Sequence, residues 1–146
     1  MKKYQTKMLL AAMLLLSFGA SGQTSKKVEV PDNVKTACLK KFPQSASAKL
    51  TWEMEKGNYE ANWGGKTGED NSAVFTPTGD FLEIVKTIPV SQLPAPALAY
   101  VKSHEHGAKI SEAGLVTDAK GIVTYEAEIK GKELIFDQSG KILKTE

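Results

Sequence analysis

Ala73–Glu83 reads A-V-F-T-P-T-G-D-F-L-E, and Leu134–Lys144 reads L-I-F-D-Q-S-G-K-I-L-K. In each, an apolar run meets a turn ending in Gly and resumes as a second apolar run, the pattern of two strands joined by a short turn. Phe75 and Phe136 both stand four residues before the glycine, Gly79 or Gly140. Working outward, other features recur in the same order. Tyr59-Glu60-Ala61 returns as Tyr125-Glu126-Ala127, and Pro31 returns as Pro94. The offsets are 63 (Pro31 to Pro94), 66 (Tyr59 to Tyr125) and 61 (Gly79 to Gly140). Ordered recurrence at a nearly constant period points to an internal duplication.

The first half opens on a helix. Pro31 suits a helix start, where its missing N–H costs nothing, and Asp32 suits the positive end of the helix dipole. Val34, Ala37, Cys38 and Phe42 fall on one stripe, and Pro43 ends it. Cys38 lies on that stripe and reads as a small buried hydrophobe rather than a nucleophile. Leu50, Trp52 and Met54 then alternate with polar residues, as do Tyr59, Ala61 and Trp63 after a Lys56-Gly57-Asn58 turn. Gly64–Asn71 reads as a long mobile loop, and Ala73–Thr76 and Asp80–Ile88 complete a four-stranded meander. Phe81, Leu82, Ile84 and Val85 are apolar at both parities, so this last strand is expected at the centre, covered on both faces.

The second half repeats the plan. Ser91–Pro94 opens a helix carrying Ala97, Leu98, Tyr100 and Val101, and Gly107 stops it. Strands follow at Ile110–Val116, Ile122–Lys130 and Glu133–Phe136, with a final one after Gly140. The expected fold class is α+β: two tandem α-β4 units, residues 30–88 and 89–146, form one antiparallel sheet with both helices packed on one face. Each large strand residue buried contributes roughly 1.5–3 kcal/mol, so about ten of them support residues 30–146 as a single domain.

Residues 1–22 read as a cleaved signal peptide: Lys2, Lys3 and Lys7 precede the apolar run Met8–Phe18, and Ala20-Ser21-Gly22 offers a small-residue cleavage site. Residues 23–29 read as a flexible lead-in. No Cys stands directly after the apolar run to become the mature N-terminus, which argues against a lipid anchor, so the expected location is periplasmic or secreted, with no membrane span after cleavage. The leader holds three of the 19 basic residues and none of the 17 acids, so the full chain's +2 becomes −1 without it. All the basic residues are lysines. Without arginine, the usual bidentate partner of phosphate and guanine, nucleic-acid binding is disfavoured. Cys38 is the one cysteine, so no intramolecular disulfide can form.

The arrangement resembles the PepSY-like family of β-lactamase-inhibitor-like exported bacterial proteins. The residues that carry the likeness are Val30-Pro31, Phe42-Pro43, Trp52, Tyr59-Glu60-Ala61, Ala73-Val74-Phe75 with Gly79, Leu93-Pro94, Tyr125–Ile129, and Phe136-Asp137 with Gly140. They span essentially all of the chain after residue 22. The resemblance implies an exported tandem-repeat domain without catalytic machinery that binds, or inhibits, another protein. It carries over no cofactor and no metal site.

The chemistry-bearing residues agree with that expectation. Gly64-Gly65-Lys66-Thr67 resembles the end of a phosphate loop, but Glu60 stands where the first Gly is required and a strand follows where a helix should. His104-Glu105-His106 puts two imidazoles two apart on a helix, where they diverge, and offers a metal site only if the helix end frays. Ser103 and His104 likewise diverge as helix neighbours and form no catalytic pair. Glu53, Glu55, Glu60, Glu126 and Glu128 alternate with buried strand residues and so share the outer sheet face. That face is either a solvated surface or a binding surface. Thr51, Glu53, Glu60, Asn62, Glu126 and Glu128 are the candidate partner-binding residues. Trp63 is added with two readings open, inside by parity or an exposed anchor beside the glycine loop. The function expected is a non-enzymatic exported module, a simple binder or an inhibitor-like one, that engages an unknown envelope protein or peptide through the open face. The alternative is a periplasmic carrier of a small ligand or metal.

Overall fold

A computed structural model describes residues 28–145, with Glu55 described by its backbone alone. The expected signal, residues 1–22, and most of the lead-in lie outside the described residues. Helix α1 (Asp32–Lys41) and strands β1 (Thr51–Glu55), β2 (Asn58–Trp63), β3 (Asn71–Phe75) and β4 (Phe81–Thr87) form the first half. Helix α2 (Ala95–His104) and strands β5 (Glu112–Asp118), β6 (Val123–Ile129), β7 (Lys132–Asp137) and β8 (Ile142–Thr145) form the second. The eight strands make one sheet in chain order, every neighbour antiparallel. The fold is α+β, as the patterning predicts, and β4 meets β5 at the centre of the sheet.

Proline sets both helix starts. Pro31 and Pro94 sit at the N-caps with extended backbone, and Val34 N–H and Ala97 N–H donate to their carbonyls at 3.1 and 2.9 Å. At the end of α1, Phe42 N–H donates to Cys38 O at 2.8 Å, and Pro43 cannot continue the ladder. The Ser/Ala-rich stretch after it forms a short 3-10 helix, Pro43–Ser47, pinned by Ser45 Oγ donating to Phe42 O at 2.7 Å. A second 3-10 turn, Val90–Gln92, precedes α2.

Each helix caps one half of the sheet. Val34 and Cys38 pack on Tyr59, Ala61, Trp63, Ala73, Phe75 and Ile84, joined by the half-buried rings of Phe42 and Phe81. Ala97 and Val101 pack on Ala113, Ala127, Ile129, Leu134 and Phe136. The recurring hairpin explains itself here, because its glycine lies against the start of the helix. A Cβ on Gly140 would come 2.8 Å from Pro94 Cβ and 2.9 Å from Ala97 N, and one on Gly79 would come 3.2 Å from Asn33 O. Both glycines have positive φ, +83° and +88°. The hydrogen bonds match as well: Thr76 N–H to Asp80 O and Asp137 N–H to Lys141 O, both 2.9 Å. In each hairpin the register shifts just before the Phe, between Val74 and Phe75 and between Ile135 and Phe136.

Two expectations are corrected. Met54 was to share the buried side of β1, but it is exposed, because β1 is an edge strand with a neighbour on one side only. The loop after Trp63 ends earlier than Asn71, which already pairs in β3 and whose side-chain amide donates to Trp63 O at 3.2 Å.

Candidate functional site

Strand alternation leaves the other sheet face without a helix among the described residues. In register order it carries Glu60 and Asn62 on β2, Glu83 and Val85 on β4, and Glu112, Gly114, Val116 and Asp118 on β5. Thr124, Glu126 and Glu128 follow on β6, with Glu133 and Ile135 on β7. Bare sheet faces that meet water usually carry exposed polar side chains. Here Glu60, Asn62, Glu83 and Glu126 are buried instead, and Val85 and Val116 form a small apolar pair at the centre.

Glu126 is the extreme member, 1% exposed. Its cross-strand partner on β5 is Gly114, which brings no side chain, and its partner on β7 is Ile135. Burial first, then the charge and the hydrogen bond of Glu133, and then the charge of Glu83 push its carboxyl from 4.5 up to about 10. It is a neutral acid at neutral pH. Its Oε2 is buried without a hydrogen-bond partner, a costly state for a polar atom. Beside it, Glu112, Glu128 and Glu133 stand directly opposite one another on three adjacent strands. Like charges facing across strands repel. Burial, Glu128 and Glu69 accordingly raise the Glu112 carboxyl above its usual range.

Glu126 lines a recess of about 320 Å³. Glu83, Asp118, Thr124 and Lys144 add polar groups, and Val116, Ile122, Ile135 and Leu143 add apolar wall. Ile122 and Leu143 are among the most exposed large hydrophobic residues of the described chain, at 58% and 56%. Asp118 owes its position to the β5–β6 turn, where its Oδ1 accepts the N–H groups of Lys120 and Ile122, both at 2.8 Å.

The structure brings together only part of the predicted site. Glu126 lies in the recess, with Glu128 half-buried beside it. Thr51 and Glu53 are exposed on β1, and Glu60 and Asn62 are buried on β2, where Asn62 Oδ1 accepts the Ser72 hydroxyl. Four strand spacings separate β2 from β6, roughly 19 Å along the sheet, so these do not form one cluster with Glu126. Trp63 faces the helices, buried, its ring 5.4 Å from that of Phe42. The exposed-anchor reading of Trp63 does not hold. Sequence reasoning missed Glu83, Asp118, Glu112 and Glu133; the signal was their parity, opposite to Ile84, Ala113 and Leu134 on the same strands.

The other candidates also find their places. Gly64 and Gly65 turn with positive φ into β3, a strand, as the glycine-loop reading requires. Ser103 and His104 do not diverge: Ser103 Oγ lies 2.8 Å from His104 Nδ1. Both side chains fold back over the last turn of α2, each within reach of Tyr100 O, and the imidazole stacks on the Tyr100 ring. Among the described residues no three His, Cys, Asp or Glu side chains are placed to hold a metal ion.

No family model and no curated protein matches the sequence. Solved structures do match. A protein of Bacteroides eggerthii described as periplasmic superposes with a TM-score of 0.64 at 20% identity, over 82% of this chain and 89% of that one. A DUF2874 family protein of Bacteroides uniformis gives 0.63 at 19% identity, over 81% and 89%. A BLIP-like protein of Bacteroides fragilis gives 0.57 at 17% identity, over 82% and 86%. The chain shares their fold. Among the described residues no helix is long and apolar enough to cross a membrane.

Proposed function

We propose that the chain is a non-enzymatic, PepSY-like binding module of the cell envelope, exported by residues 1–22. It engages a protein or peptide through the helix-free face of β4–β8, in the manner of an inhibitor. The observation that carries this reading is the recess over Glu126. A buried, unpartnered carboxyl oxygen lies at its wall, and exposed Ile122 and Leu143 stand at its rim. Exposed apolar side chains gathered about a recess mark surfaces that protein partners cover. The fold it shares with proteins described as periplasmic and BLIP-like supports the location and the binding role. The Ser103–His104 pair lies at the end of α2, away from this face. A small-ligand carrier is the second reading, because 320 Å³ falls at the lower end of the usual size for small-molecule sites.

The test is affinity capture from envelope extract with residues 23–146 as bait, compared with the rim variants Ile122→Asp and Leu143→Asp and the control His104→Ala. One partner, lost with either rim variant at unchanged thermal midpoint and kept with His104→Ala, is the expected result. A partner kept by both rim variants overturns the binding-face reading. No partner, together with a thermal shift on adding small molecules, favours the carrier.

A further inference from the structure

The recess is selective in charge as well as shape. From the geometry we infer that it takes one cationic side chain, a lysine or arginine presented by the protein partner, with its charged group on Glu126 and its alkyl stem along Ile135 and Leu143. This deepens the binding-face reading above and rests on it. Three independent features agree. Glu126 Oε2 is a buried acceptor with no partner, in the wall of the recess. Glu83 and Asp118 share that wall, and the Glu112–Glu128–Glu133 row lies next to it, so the surroundings favour a positive charge. Apart from Thr124 and Lys144, the remaining wall is aliphatic, Val116, Ile122, Ile135 and Leu143, and suits the methylene stem of a long basic side chain. A metal ion is the poorer occupant, since no three of the described His, Cys, Asp or Glu side chains converge to hold one.

The groups that face Glu126 set the pH response. They are Glu83 from β4, Glu112 and Asp118 from β5, Glu128 on its own strand, Glu133 from β7 and Lys144 from β8. Glu126 is protonated in the free protein, so the arriving cation displaces its proton to solvent and pairs with the carboxylate. Affinity therefore rises with pH, by up to about tenfold per unit while the free site stays protonated. Lys144 is a cation already lining the recess and competes with the incoming one.

The probes are Nα-acetyl-lysine methylamide and its arginine analogue, titrated into the ¹⁵N-labelled chain, residues 23–146. Nα-acetyl-norleucine methylamide is the uncharged control, and spermidine stands for a free polyamine. The expected result is that the basic probes shift the amides of Thr124, Glu126 and Ile135, at least about tenfold tighter than norleucine and tighter at pH 8 than at pH 6. Glu126→Gln should weaken them about tenfold and Lys144→Gln should strengthen them, each with a folded spectrum. A role confined to the fold would not move the two variants in opposite directions. Equal binding of the lysine and norleucine probes, or a folded Glu126→Gln that binds as wild type, overturns the inference. Spermidine binding much tighter than either basic probe overturns the peptide source. If the rim variants abolish partner capture while the basic probes fail, the binding-face reading stands and only the cation inference falls.

Discussion

The carboxyl groups of Glu126 on β6 and Glu133 on β7 are hydrogen-bonded to each other on the open face of the sheet. Two carboxyl groups share such a bond only with a proton between them. The folded protein thus keeps a proton at Glu126 up to about pH 10, which the unfolded chain releases near 4.5. A raised folded value gives stability that is complete below the unfolded value and is lost as pH rises through the folded one. Between the two the slope is at most about 1.4 kcal/mol per pH unit. Glu126→Gln keeps the shape and stays neutral. It is expected to be about 1–3 kcal/mol more stable than wild type at pH 7 and to flatten the decline from pH 5 to 9. Urea unfolding at pH 5, 7 and 9 measures both, and parallel profiles for the two proteins would refute the assignment.

Cys38 is fully buried between α1 and the sheet, its Sγ 4.0 Å from Ser45 Oγ. Burial raises its thiol above the usual value, with the Ser45 hydroxyl acting weakly in the other direction. Thiolate, the reactive form, is both scarce and shielded. Native protein is expected to resist a maleimide over hours, and labelling should rise along the urea unfolding curve. Stoichiometric labelling within minutes without urea would show that α1 opens readily.

Gly79 and Gly140 occupy matching turns with unequal room. Alanine at Gly79 takes up the left-handed backbone strain, about 1–2 kcal/mol, with a tight contact to Asn33 O. Alanine at Gly140 takes up the same strain and also drives its Cβ into the backbone N of Ala97 and the ring of Pro94. Overpacking adds about 1–3 kcal/mol. Gly140→Ala should therefore be clearly the less stable variant in thermal unfolding. Equal midpoints would mean that α2 shifts away from the turn at little cost.

The architecture was legible because its signals are local and periodic. Phe-x-x-x-Gly located both hairpins, Pro31 and Pro94 located both helices, and period two assigned Tyr59, Ala61 and Tyr125 to the helix side. Parity gives a face, however, and not a depth. That Glu126 lies opposite Gly114 and beside Glu133 depends on the register of β5 and β7, which no single strand's sequence carries. Glu83 and Asp118 meet only because β4 and β5, from different halves, pair at the centre. The side chains of Ser103 and His104 meet within the last turn of α2 because both fold back over the preceding turn toward Tyr100 O, a lean that residue spacing alone does not give.

Trp63 distinguishes a core role from a binding role. It is 4% exposed at the end of β2, on the helix side, against Phe42, whose ring in turn meets Phe75 and Phe81. Removing the indole leaves a cavity in that cluster, and Trp63→Ala is expected to cost about 3–5 kcal/mol. Trp63→Phe refills part of the space and should lose less. Since the ring points away from the helix-free face, Trp63→Phe should capture the same partner as wild type under conditions where it is folded. Urea midpoints and capture are measured side by side. Capture lost at unchanged stability would return Trp63 to the binding surface and move the site toward β2 and its glycine loop.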